Sequence, residues 1–291
     1  MKIALLTDSA AGLPEHLVDQ YRISVVPVYL CFGNQMVRDG IDLSPADFYH
    51  RLRLGGLHPT TAAPSAGDFL AAFERLRNDG AEAIVAVLLG SQLSATFEAA
   101  WQAAQLFNGP PVRLVDSRSV SMGTGFAVLA AARAIARGAC LDEVVAAAEA
   151  VRERTQVRFT LETLEYLRRG GRIGAAAAWV GNMLQLVPIL AITEAGIIPV
   201  TRVRTKSRAV RMMVEEVVTA TAGRPTIAAV VHAEAHDEAE QLAAQLQARC
   251  KCNELYITGL TPVLGAHGGP GTLGIGWYHA DEPLISTNFF S

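Results

Sequence analysis

The chain has 291 residues, 51% of them hydrophobic, and its 25 Lys plus Arg against 28 Asp plus Glu leave a formal charge of -3. That length exceeds one ordinary core and leads to an expectation of two domains. With no positive surplus to point to nucleic acid and no basic run to point to anionic lipid, neither is expected as a partner. No apolar run approaches the roughly 20 residues of a membrane span. The opening Met1-Lys2-Ile3-Ala4-Leu5-Leu6 is stopped by Thr7-Asp8-Ser9, too early for a secretory signal. Cys31, Cys140, Cys250 and Cys252 suggest neither a disulfide framework nor, lacking a second ligand cluster, a metal site. These features lead to an expectation of a cytoplasmic protein with reduced thiols.

In chain order, Lys2 to Leu6 reads as a strand. Ile23 to Leu30 reads as another, interrupted by Pro27 and so placed near an edge or an end. Ser44-Pro45-Ala46-Asp47 reads as a helix start, with Ser44 as N-cap and proline at the first helical position. Ser65 to Asn78 carries Phe69, Ala72, Phe73 and Leu76 at helical spacing. Ala83 to Leu89 is unbroken and apolar, as a strand buried on both faces would be. Leu93 to Leu106 reads as helical, Val112 to Val115 as a strand, and Met122 to Arg137 as a long alanine-rich helix ended by Gly138. Leu141 to Glu153 reads as another helix. Strands alternating with helices imply parallel pairing through crossovers, hence an α/β fold.

The charged Arg152-Glu153-Arg154 leads to an expectation of a boundary there, giving domains 1–155 and 156–291. Beyond it, Val157 to Leu161 reads as a strand and Thr163 to Arg169 as a helix cut by Gly170-Gly171. Pro188 to Ile192 and Ile197 to Arg204 flank Thr193-Glu194-Ala195-Gly196, a hairpin pattern. Ser207 to Thr221 reads as an amphipathic helix, Thr226 to His232 as a strand, Ala235 to Ala248 as a helix and Leu255 to Ile257 as a strand. The run Gly265-Ala266-His267-Gly268-Gly269-Pro270-Gly271-Thr272-Leu273-Gly274 follows. It reads as a glycine turn whose N–H groups suit an anion, with His267 its one titratable member.

Small polar residues recur where strands end: Asp8-Ser9, Ser91, Ser94-Ala95-Thr96 and Asp116-Ser117, with Thr60-Thr61 in a Pro-bounded loop before a helix. In a parallel α/β sheet, strand carboxyl ends share one edge, where ligands bind. Ser94 lacks the glycines of a hydrolase elbow, and no Walker loop occurs. Gly269-Pro270-Gly271-Thr272-Leu273-Gly274 matches the letters of a dinucleotide loop, with too little chain after it for the βαβ unit. His232 and His236 have metal-ligand spacing without a third partner. Trp101 and Trp179 read as core or pocket wall. An esterase or thioesterase using Ser94, His267 and Asp8 or Asp116 is the enzymatic alternative. A small-anion or nucleotide sensor is a third reading.

Thr7-Asp8-Ser9, Thr61-Ala62-Ala63-Pro64-Ser65, Leu93-Ser94-Ala95-Thr96, Asp116-Ser117, Leu164-Glu165-Tyr166-Leu167-Arg168-Arg169-Gly170-Gly171-Arg172-Ile173 and His267-Gly268-Gly269-Pro270-Gly271 occur in order. Together they resemble the DegV family of bacterial fatty-acid-binding proteins, from Lys2 to about Tyr278. The resemblance implies two α/β domains, mainly parallel sheets in the N-terminal one, and a ligand cleft between them. It implies one long-chain fatty acid such as palmitate or oleate, with Thr61, Ser94, His267, Gly268 and Gly269 at its carboxylate. It also implies a carrier without catalysis or cofactor, serving fatty acid metabolism or transport, that presents the acid to an ATP-dependent kinase. Arg172 and Arg204 match arginines that face the kinase or the head group. Ala62, Ala95, Gly268 and Val187 depart from the family pattern of serine, glycine, threonine and lysine; Val187 bears on the partner surface rather than the ligand site.

Overall fold

The computed structural model describes residues 1–54, 58–182 and 186–280. The first half runs β1 (Ile3–Asp8), α1 (Glu15–Gln20), β2 (Ser24–Val26), β3 (Tyr29–Phe32), β4 (Gln35–Arg38), α2 (Pro45–Leu54), β5 (Thr60–Ala62) and α3 (Ala66–Asn78). It continues through β6 (Ala83–Leu88), α4 (Thr96–Leu106), β7 (Val112–Asp116), α5 (Met122–Ala136) and α6 (Leu141–Arg154). The second half holds β8 (Gln156–Thr160), α7 (Glu165–Arg169), β9 (Val187–Thr193), β10 (Gly196–Val203), α8 (Lys206–Thr221) and β11 (Thr226–His232). It closes with α9 (His236–Arg249), β12 (Cys252–Gly259), α10 (Pro262–Gly268) and β13 (Leu273–His279).

A four-stranded parallel sheet in the order β2-β1-β6-β7 organises the first half. Every residue of β6 is buried because both faces are covered. Ala83, Val85 and Val87 pack with Ala127, Val128, Val144 and Ala148 of α5 and α6. The alternate residues Ile84, Ala86 and Leu88 pack with Phe69, Phe73, Ala100 and Ala103 of α3 and α4. Period two along one strand thus specifies two helical layers. The local signals work as the residues suggest: Ser44 Oγ accepts the Asp47 N–H at 3.1 Å, and Ser65 forms a reciprocal capping box with Asp68.

The second half forms a mixed six-stranded sheet in the order β10-β9-β8-β13-β11-β12, antiparallel except for β11 with β12. Helices α8 and α9 cover one face through Met213, Val214, Val217, Leu242 and Leu246. The other face meets α5: Ile227, Ala229, Val231 and Tyr278 share a core with Met122, Phe126 and Leu129. Eleven of the fifteen α5 residues are therefore buried. An all-round apolar helix is what a position between two sheets demands.

Four expectations about secondary structure change. The strand expected over Ile23 to Leu30 is two strands in different sheets, β2 beside β1 and β3 in a three-stranded antiparallel sheet β4-β3-β5, with Pro27 between them. Thr61 accordingly sits on β5, paired with Leu30, rather than in a loop. The expected glycine turn is helical through Gly268, with Pro262 at its first turn. The residues after it form β13 in the middle of the mixed sheet, although Gly274 and Gly276 interrupt its pattern. Those glycines answer to packing: a Cβ at Gly274 would lie 2.8 Å from Val231 Cγ2, and one at Gly276 would lie 3.2 Å from Phe126 Cε2.

Trp101 is 48% exposed and belongs to neither core nor pocket wall. Trp179 is partly buried and carries the Arg202 guanidinium over its ring at 4.9 Å.

Candidate functional site

A cavity of about 190 Å³ opens between the two halves of the chain. Its wall draws on both halves of the chain: Val28, Leu89, Leu93 and Val120 from the first, Val157, Ile192, Val231 and Val263 from the second. An engineered apolar cavity of about 150 Å³ accepts benzene, so this space suits an apolar body larger than that ring. Thr61, Ser94, Arg172 and His267 join the same wall. The small sheet holds Thr61, the turn between β6 and α4 holds Ser94, and the last turn of α10 holds His267.

Each of the two hydroxyls has a partner behind it. Thr61 Oγ1 lies 2.9 Å from His267 Nε2. Ser94 Oγ lies 2.9 Å from Thr96 Oγ1 and accepts the Thr96 N–H at 3.3 Å, and Thr96 is fully buried. A hydroxyl whose acceptor side is occupied keeps its O–H for something else. The head of the cavity therefore presents two neutral hydroxyls rather than a buried cation, which suits a carboxylate with little desolvation of protein charge.

The supporting structure is made of carboxylates that do not face the cavity. Asp8 accepts the Ala10 N–H at 2.9 Å and the Leu89 N–H at 2.7 Å, both donors belonging to wall residues. Burial raises its pKa to about 6. Asp116 accepts the Ser91 N–H at 3.1 Å, the Ser91 hydroxyl at 2.6 Å and the Arg118 N–H at 2.9 Å, shaping the turn before Ser94. Asp39, buried and also raised by burial to about 6, accepts the Val263 N–H at 3.2 Å. It caps α10 from the other half of the chain, where Thr261 provides no side-chain cap. Sequence reasoning missed this role because the N–H that Asp39 receives lies 224 positions away.

Burial, with a contribution from Arg172, pushes the His267 pKa down to about 4, so the ring is neutral near pH 7. Its Nδ1 is buried without a partner. The esterase arrangement is not assembled: His267 bonds Thr61 instead of Ser94, and Asp8 and Asp116 are committed to backbone N–H groups and Ser91. Among the described residues no group of three His, Cys, Asp or Glu is placed to hold a metal. His232 and His236 meet edge-on at 5.4 Å, and all four cysteines are free thiols.

Of the seven residues picked out in the sequence, Thr61, Ser94, His267 and Gly268 line the cavity together. Gly269 is not part of the wall; it caps α10 at φ +77°, and a Cβ there would lie 2.3 Å from Tyr166 Cδ2. Arg172 also lines the cavity, donating to the Leu93 carbonyl at 3.2 Å and the Gly170 carbonyl at 2.9 Å. It thereby bridges the two lips. Arg204 stands apart, exposed between β10 and α8. No helix among the described residues is long and apolar enough to cross a membrane.

Known proteins resemble this chain along nearly its whole length. A DegV domain-containing protein of Mycobacterium bovis is 40% identical over 281 residues, covering 94% of this chain and 96% of the relative. Protein DegV of Bacillus subtilis is 32% identical over 279 residues, covering 95% and 99%. Among solved structures, a DegV family protein from Thermus thermophilus, described by its fatty acid binding, matches with a TM-score of 0.90 at 32% identity, over 96% of this chain and 100% of that one. Bacillus subtilis DegV, described as a fatty acid binding protein, matches with a TM-score of 0.89 at 31% identity, over 96% and 100%. A family model described as "Uncharacterised protein, DegV family" matches residues 2–280, and the chain belongs to the DegV family.

Proposed function

We propose that the cavity holds a long-chain fatty acid such as palmitate or oleate, its carboxylate at Thr61 and Ser94 and its tail along the apolar wall. The observation that carries this reading is the pairing of an apolar cavity with two back-bonded hydroxyls at one end. The fatty acid binding for which the Thermus thermophilus and Bacillus subtilis relatives are described supports it. Each buried CH₂ contributes roughly 0.8 kcal/mol, so about 16 carbons supply on the order of 10 kcal/mol before ordering costs. In this reading residues 1–155 and 156–291 are two α/β units and the acid lies between them; residues 281–291 lie outside the described residues.

The protein then acts as a cytoplasmic carrier rather than an enzyme, and a separate ATP-dependent kinase phosphorylates the presented carboxylate. Arg204, exposed and clear of the cavity, suits the kinase surface better than Arg172, whose carbonyl partners tie it to the mouth. Mass spectrometry of an organic extract, followed by titration of the delipidated protein with palmitate and oleate, tests the core of the reading. A bound or acquired fatty acid is expected; its absence from both measurements would refute the proposal. For the partner surface, Arg204→Ala should leave acid binding intact and slow acyl-phosphate formation by the kinase. A loss of acid binding would move Arg204 to the ligand site.

A further inference from the structure

Gly170 ends α7 with φ -74° and ψ -6°, ordinary right-handed backbone that any L-residue adopts. Backbone conformation therefore does not require glycine here. Space does: a Cβ on Gly170 would lie 2.1 Å from His267 Nδ1 and 2.6 Å from its Cε1. Gly171 is the reverse case, at φ +68° with nothing within 4 Å of its would-be Cβ. The neighbouring element reciprocates, because Tyr166 of α7 lies against Gly269 at the end of α10 as His267 lies against Gly170. Two rings are exchanged over two glycines, and the spacing between α7 and α10 follows from both.

This packing also bears on where the imidazole proton sits. Nδ1 faces Gly170, buried and unpartnered, while Nε2 is 2.9 Å from Thr61 Oγ1. A buried N–H without an acceptor is rarer and costlier than a ring nitrogen lone pair left against carbon. The neutral ring therefore carries its proton on Nε2 and donates it to Thr61 Oγ1. The Thr61 O–H is then free to donate into the cavity.

We infer that Gly170 is a positioning residue for ligand recognition: its missing side chain seats the His267 ring so that Thr61 presents a donor to the head group. This rests on the proposed fatty acid site and sharpens it, since such a head site selects an acceptor, a carboxylate, over an amine of equal chain length.

The test compares Gly170→Ala with wild type in the full chain, following the His267 ring by NMR titration and oleate binding by calorimetry. Displacement of the ring should raise the His267 pKa from about 4 toward the ordinary value near 6.5 and weaken oleate binding at least about tenfold. Gly171→Ala, although its backbone is strained, should retain the wild-type titration and affinity. Adding His267→Ala to Gly170→Ala should remove the methyl clash, so the two stability losses should not add. Wild-type titration and affinity in Gly170→Ala would overturn the inference, as would an equal effect in Gly171→Ala or strict additivity in the double variant. If wild type takes up no oleate, the fatty acid reading fails by itself, and the His267 titration still decides the role of Gly170.

Discussion

The two halves of the chain meet at a mouth and at a seam, and the two contacts are built from different chemistry. At the seam, Arg133 of α5 donates to Glu254 at 2.6 Å and to the Tyr256 hydroxyl at 3.1 Å, while Phe126 and Tyr278 pack at 5.2 Å between ring centroids. At the mouth, the contacts are the Thr61–His267 pair, the Arg172 bridge, the Gln92 side chain donating to the Thr193 carbonyl at 3.0 Å, and an exposed Arg118–Glu194 pair. The seam is large, buried and mutually satisfied. The mouth is small, neutral at its centre and partly open. In the proposed reading this division keeps the surface that exchanges ligand apart from the surface that holds the halves together.

That division breaks if seam variants lose ligand or mouth variants lose the fold. The largest effect is expected from Phe126→Ala, which empties a fully buried ring position and should cost about 3–5 kcal/mol in chemical denaturation. Oleate affinity of the protein that remains folded should change little. A change in affinity without a loss of stability would erase the distinction.

His267 provides the pH arm. Between pH 6.5 and 4 the unfolded chain takes up a proton that the folded ring refuses, so stability from this residue is full above 6.5 and falls as pH drops toward 4. At full titration the difference is on the order of 3 kcal/mol. Asp8 and Asp39 run the other way: with pKa values raised to about 6, they hold protons in the folded chain that the unfolded chain has released, and they lose stability as pH rises through 6. The wild-type curve therefore sums opposing contributions and does not isolate the histidine. His267→Gln should remove the acid loss, and urea midpoints of variant and wild type should diverge between pH 7 and 4.5. Parallel curves would show that burial does not hold the ring neutral.

Glu254→Ala should cost about 2–3 kcal/mol by leaving Arg133 with the Tyr256 hydroxyl but without its carboxylate. The effect is smaller than for a fully buried pair because the two side chains keep 17% and 26% of their exposure. Smallest in energy but most specific, Thr61→Val should weaken oleate binding by about 1–3 kcal/mol with an unchanged denaturation midpoint. Unchanged affinity would remove Thr61 from the head site.

The hydroxyls and the histidine were legible as residues, and their assembly was expected only from the family resemblance, not from any local pattern. Ser94 and Thr61 are separated by a helix and a strand, and the imidazole lies 206 positions from the threonine it bonds. Their joint placement follows from α10 crossing to the first half, where Asp39 receives its N-terminus. No local pattern marks a cap supplied from so far away. Arg172 was visible as a charge beside two glycines, while its place on the cavity wall depends on the Leu93 and Gly170 carbonyls.

The parallel sheet, its covering helices and the β9–β10 hairpin were determined by sequence alone, because apolar period, caps and turn residues act over a few positions. The split of Ile23 to Leu30 between two sheets, the strand through Gly274 and Gly276, and the helix ending at Gly268 were decided by tertiary structure. At the glycines long-range packing overrides local preference, because Val231, Phe126 and Tyr166 leave no room for a side chain at Gly274, Gly276 and Gly269, while the split at Pro27 follows from the different partner strands of β2 and β3.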